Sequence, residues 1–171
     1  MRILGYPDVV DEVTVRLVAA VVLIVGIVGL VTGQWWWYAA LAVDFLARVA
    51  AGPALSPIAR GVLRWVRPRV PVAPRPTPGP PKRFAAGIGA VLTTAATATA
   101  VVAGLTGSAS AATATFALGA LMVVFPALEA AAGICVGCVV FARLMKAGLV
   151  PERVCLACSD LSRRGASTAR A

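Results

Sequence analysis

The chain has 171 residues, 60% of them hydrophobic and only 13% charged, and its 16 basic and 7 acidic side chains give a net charge of +9. A soluble domain carries about a quarter charged residues, so this composition, with a mean hydropathy of +0.88, excludes a water-soluble globule. The absence of histidine excludes histidine-based metal sites and Cys–His or Ser–His nucleophilic catalysis.

No charge lies between Arg16 and Asp44 or between Arg83 and Glu129. A membrane crossing needs about 20 apolar residues, so the first gap holds one crossing with a turn and the second holds two. The basic residues crowd beside these runs, the positive-inside pattern, and no separate basic domain is left for nucleic acid. Arg outnumbers Lys fourteen to two, and Ala and Val abound, a bias of GC-rich bacterial genomes.

The N-terminal flank carries Asp8, Asp11 and Glu12, which argues against a cleaved signal peptide. The first span is expected over about 13–32, with Arg16 snorkelling to the headgroups. Gly33 and Gln34 make a turn. Trp35, Trp36, Trp37 and Tyr38 then suit the aromatic belt at a membrane face. The second span, about 35–51, contains Asp44 and Arg48 on one helix face. Gly52, Pro53 and Pro57 end it. Residues 58–66 read as a short amphipathic helix lying in the interface. The stretch 67–83 is Pro-rich, basic and without acidic residues, and is expected to be an extended cytoplasmic linker.

The third span is expected over 84–103, where Gly87, Gly89, Ala90, Thr93, Thr94 and Thr97 offer close-packing surfaces. The fourth covers 111–132, kinked at Pro126 and continuing as one helix towards Lys146. Basic residues populate the loop between spans two and three and the C-terminal tail, whereas the two short turns hold none. Both termini are therefore expected in the cytoplasm. The fold expected is all-α: a four-helix transmembrane bundle, an interfacial amphipathic helix and a cytoplasmic C-terminal helical hairpin over 133–164.

Asp44, Arg48 and Glu129 fall within apolar segments, where an ionisable group costs at least about 2.5–3.5 kcal/mol on insertion scales. Depth counting makes an Arg48–Glu129 pair plausible. The three residues read first as a buried polar cluster that sets how spans two and four register, and second as a path for a proton or small solute.

All four cysteines lie near the C-terminus as Cys135-x2-Cys138 and Cys155-x2-Cys158, sixteen residues apart. The spacing suits a four-thiolate site for zinc, or for iron. It equally suits two redox dithiols that cycle between thiol and disulfide. Residues three apart on a helix share a face, and a turn at Gly148 and Pro151 would bring the pairs to one level. Arg143, Lys146 and Arg153 make the surroundings electropositive and favour thiolates.

The segments "DFLARVAAGPALSPIA", "PPKRFAAGIG", "LEAAAGICVGC" and "LMKAGLVPERVCLAC" resemble the bacterial membrane family called domain of unknown function 4395. The resemblance implies a small multi-span protein of the bacterial plasma membrane. It also implies a soluble thioredoxin-like or sulfurtransferase partner, since such proteins are encoded near family members. It brings no established activity. The leading expectation is thiol-redox or sulfur handling at the membrane. The alternatives are a scaffold clamped by a structural metal on all four cysteines and a small-solute carrier.

Overall fold

A computed structural model describes residues 7–151. Cys155 and Cys158 lie outside the described residues, and so does the second half of the expected hairpin. The described chain is mostly helical. Strand β1 (Val9–Asp11) leads into α1 (Glu12–Thr32), followed by α2 (Trp35–Ala51). A 3-10 turn (Gly52–Ala54) precedes the short α3 (Pro57–Gly61), which runs on as a π turn (Val62–Val66) and a 3-10 turn (Arg67–Arg69). Strand β2 (Pro76–Pro78) opens into α4 (Gly79–Thr106), and α5 (Ala109–Ala127) ends in a π turn (Leu128–Ala132) before α6 (Val136–Lys146).

Local chemistry explains the corners. Gly33 and Gly107 sit at φ 66 and 67, the left-handed conformation that ends a helix cheaply only in glycine. Each donates its N–H four residues back, to Gly29 and Ala103. The resulting hairpins pack side by side, with α1 against α2 and α5, and α4 against α2, α5 and α6. Val18 and Val22 of α1, Leu41 and Phe45 of α2, Ala86 of α4 and Met122 of α5 form the shared core.

The surface is apolar instead. Ile24 and Phe116 are more than 60% exposed, and Val31, Val43 and Val91 are likewise open, an arrangement for lipid rather than water. Three helices are long and apolar enough to cross a membrane: Glu12–Thr32, Gly79–Thr106 and Ala109–Ala132. A fourth crossing exists if Trp35–Ala54 and Pro57–Arg69, bent by 46°, act as one broken span. Helix α2 alone is only about 25 Å long at ~1.5 Å per residue.

Several expectations are corrected. The stretch 67–83 is not one extended linker. Its middle forms β2, paired antiparallel with β1 (Val9 opposite Pro78), and its end is already α4. Pro80 and Pro81 fit that helix's first turn, where proline's missing N–H costs nothing. Asp11 fastens the ribbon. Its carboxylate accepts from the Thr14 hydroxyl at 2.7 Å, the Arg67 guanidinium at 2.9 Å and the Arg75 N–H at 2.9 Å. Tyr38 is not in the aromatic belt but 1% exposed in the core, while Trp35 and Trp36 remain open. Gly87 meets no neighbouring atom within contact range, whereas Gly89 lies under the Phe45 ring. Arg16 does not reach for headgroups. Its guanidinium donates to the carbonyls of Ala130, at 3.0 Å, and Ala131, at 2.8 Å. Finally, the fourth helix does not run unbroken to Lys146. Pro126 lacks the N–H that continues the ladder, a π turn follows, and Gly133 at φ 70 stops the helix.

Candidate functional site

The break at Gly133 creates the site. Two residues after Gly133, Cys135 is the N-cap of α6, with extended backbone. Its sulfur accepts the backbone N–H of Cys138 at 3.4 Å. Sulfur thus occupies the place usually taken by a serine or aspartate oxygen at a helix start, where the helix dipole favours negative charge. Cys135 is 7% exposed, and Cys138, one turn on, is half-buried. Both are free thiols.

Gly137, between them, sets how closely α6 approaches α4. A Cβ there would lie 2.5 Å from the Ala85 Cβ and 2.6 Å from its Cα. The glycine serves a close approach rather than helix flexibility. Phe141 completes the contact one turn later, 5.6 Å from the Phe84 ring. Helix α6 ends at Lys146, and Gly148 at φ 74 makes the expected stop.

Beside the dithiol lies an ion pair. Lys82, on the first turn of α4, donates to Glu129, in the π turn, at 2.6 Å, with both side chains mostly buried. The hydrogen bond with Cys138 holds the Cys135 thiol below its ordinary value, with the Lys82 ammonium assisting against burial and Glu129. The same bond, with burial, pushes the Cys138 thiol up. Of the two, Cys135 is the sulfur whose surroundings favour the thiolate.

The Arg48–Glu129 pair is absent. Glu129 is taken by Lys82, and Arg48 pairs with Asp44. Asp44, 2% exposed, also accepts from the Ser56 hydroxyl at 2.7 Å and the Ile58 N–H at 2.9 Å, so it fixes the α2–α3 corner. Ser56 in turn caps α3 by accepting from the Ala59 N–H. Asp44 is therefore a corner post, separated in role from Glu129. The Arg48 guanidinium lies over the Phe45 ring, 4.9 Å from its centroid, and its Nε has no partner among the described residues.

A cavity of about 120 Å³ joins these groups. Its lining includes Arg48, Lys82, Glu129 and Cys135 together with the apolar Val18, Val22, Phe45 and Met122. Lys82 escaped the sequence reading, which counted it only as a flanking charge. The Pro80-Pro81 helix start was the available signal, since it places Lys82 one turn into α4. Among the described residues no group of three or more His, Cys, Asp or Glu could hold a metal ion. The described pair supplies two thiolate donors. The other two members of the expected four-cysteine set are outside the described residues.

The family model described as "Domain of unknown function (DUF4395)" matches residues 10–146, most of the chain, and the protein belongs to that family. No curated protein and no solved structure matches it.

Proposed function

We propose that this DUF4395 protein is a membrane thiol-redox protein whose working dithiol is Cys135/Cys138, exchanging electrons with a soluble thioredoxin-like partner. The observation that carries the reading is the Cys138 N–H directed at the Cys135 sulfur on the first turn of α6. That arrangement stabilises a thiolate, and thiolates are both the nucleophiles and the good leaving groups of disulfide exchange.

The exchange balances as follows. A partner thiolate attacks Cys138, the more accessible sulfur of an oxidised Cys135–Cys138 pair. The intramolecular S–S bond breaks and Cys135 leaves as the stabilised thiolate. The partner's second thiolate then attacks the mixed disulfide and releases Cys138, which takes up a proton. The partner dithiol ends as a disulfide, and this protein ends reduced. Cys155 and Cys158 form a second CxxC pair that would relay electrons by the same chemistry. The competing reading makes all four cysteines ligands of a structural zinc or iron.

The topology that goes with this reading has four spans in the bacterial plasma membrane, with both termini cytoplasmic. Its support is the exposed Arg60, Arg64, Arg69 and Arg75 between α2 and α4, which suit the cytoplasmic face. The carrier reading loses its motive, because Asp44 is used at a corner and Glu129 is neutralised by Lys82. The test is thiol titration with metal analysis on purified protein. Reversible loss and recovery of thiols in pairs, Cys135 together with Cys138, supports the reading, and a bound metal with shielded thiols overturns it.

A further inference from the structure

The segment after α2 carries two arginines whose charge nothing nearby neutralises. Arg67 is held by Asp11 and by the Val70 and Val72 carbonyls, and Arg69 donates to the Trp65 carbonyl. The Arg60 and Arg64 side chains are exposed and pair with no carboxylate among the described residues. They lie one turn apart and line one open recess at the α2–α3 corner. The rest of its lining, including Ala51, Pro53, Ala54 and Leu63, is apolar. The described carboxylates are committed elsewhere. Asp44 is paired with Arg48, Asp11 with Arg67 and Glu129 with Lys82. Asp8 lines a separate recess with Arg83, and Glu12 lies beside Gly133.

The depth of the recess follows from its neighbours. Val62 belongs to the buried core with Val18 of α1, and Arg67 reaches Asp11 just ahead of α1. The segment therefore follows α1 from its apolar stretch to its polar end, the level of lipid headgroups when α1 crosses a membrane. Leu55, Leu63, Trp65 and Val66 are exposed beside the arginines, and tryptophan is enriched at headgroup depth.

Two guanidiniums above an apolar lining match a phosphodiester that carries acyl chains. The forked N–H groups of arginine fit phosphate oxygens, and the apolar side chains accept the hydrocarbon. A zwitterionic headgroup would bring its own ammonium to stand beside the arginines, whereas an anionic one brings only the phosphate charge. A soluble polyanion would leave the apolar lining facing water.

We propose that Arg60 and Arg64 form a binding site for an anionic glycerophospholipid, with its phosphate between the guanidiniums and its acyl chains on the apolar lining. Basic pockets beside membrane helices recognise headgroups of this kind. Lipid held there braces from outside the corner that Asp44 fixes from inside. The site does not depend on the dithiol reading.

The test uses the full chain in nonionic detergent, supplied with dioleoylphosphatidylglycerol or dioleoylphosphatidylcholine, with bound lipid counted by native mass spectrometry. The expected result is preferential retention of the phosphatidylglycerol. Arg60→Gln with Arg64→Gln is expected to weaken that retention about tenfold in protein that keeps its helical circular dichroism. Arg69→Gln with Arg75→Gln removes the same charge from the same loop and is expected to change it less than about twofold. Equal losses in the two double variants, or equal retention of the two lipids, overturn the site. Displacement of the lipid by inorganic phosphate at millimolar concentration would mark a site for free phosphate and overturn the lipid assignment. Protein that ignores phosphatidylglycerol but binds polyglutamate through Arg60 and Arg64 would mark an acidic protein's docking face, and the proposal fails. Should the Arg60/Arg64 variant misfold, the lipid preference and the phosphate competition of unmodified protein still decide.

Discussion

The backbone N–H of Cys138 lies 3.4 Å from the sulfur of Cys135, so a cysteine takes the N-cap of α6. The chain reaches this geometry because Gly133 stops the preceding helix in a left-handed conformation two residues earlier. A dithiol one turn deep in an unbroken helix would have had no free N–H groups to aim at sulfur.

Cys135 is expected to react before Cys138. Its alkylation should accelerate as pH rises through a value below the ordinary thiol pKa of about 8.5, with Cys138 lagging. Lys82→Met removes a cation that favours the thiolate and should move the Cys135 profile to higher pH. Rates measured by residue-resolved alkylation against pH check both points. Equal profiles for the two cysteines would contradict the assignment.

Glu129→Gln should destabilise rather than silence. It leaves the mostly buried Lys82 ammonium without its partner, a loss of about 3 kcal/mol. The double variant Lys82→Met with Glu129→Leu should recover most of that, because no charge is then left unpaired. Thermal or denaturant unfolding in detergent measures the cycle. A neutral Glu129→Gln that stopped solute flux would instead revive the carrier reading.

Gly137→Ala should loosen the α6–α4 contact. The added methyl would meet the Ala85 backbone at 2.6 Å, and overpacking of this kind costs about 1–3 kcal/mol. The expected sign is faster alkylation of the buried Cys135 together with a lower melting temperature. Ala85→Gly in the same chain should partly restore both.

Asp11 should make the β1–β2 ribbon acid-sensitive. Burial opposes its ionisation, but hydrogen bonds from Thr14, Arg75 and Arg67 hold its carboxyl well below the usual carboxylate range. A folded value below the unfolded one means the contribution is complete above about pH 4. It is lost as pH falls through the lowered value. Asp11→Ala removes the N-cap of α1, worth about 1 kcal/mol. Trypsin should then cut faster after Arg69, read as the rate of nicking.

The ends of the helices were legible because lipid-facing stretches must be continuously apolar and glycine must stand where φ is positive. Gly33, the 35–51 segment and the stop at Gly148 all follow from such local rules. The partners were not legible. Depth counting placed Glu129 level with Arg48 but could not see that Pro80 and Pro81 start α4 early enough to bring Lys82 closer. Arg16 read as a headgroup anchor because the π turn that frees the Ala130 and Ala131 carbonyls has no composition of its own. Asp11 read only as a negative flank because its partners Arg67 and Arg75 are remote in sequence. The CxxC spacing pointed to sulfur chemistry, but the N-cap position depends on a helix break that periodicity alone did not reveal.

The most direct test equilibrates the full chain in redox buffers of graded potential, alkylates it, and reads each cysteine separately by mass spectrometry alongside metal content. The account predicts that Cys135 and Cys138 convert together between two thiols and one disulfide, reversibly. About one tightly bound zinc or iron per chain, with both cysteines shielded at every potential until the metal is stripped, would contradict it.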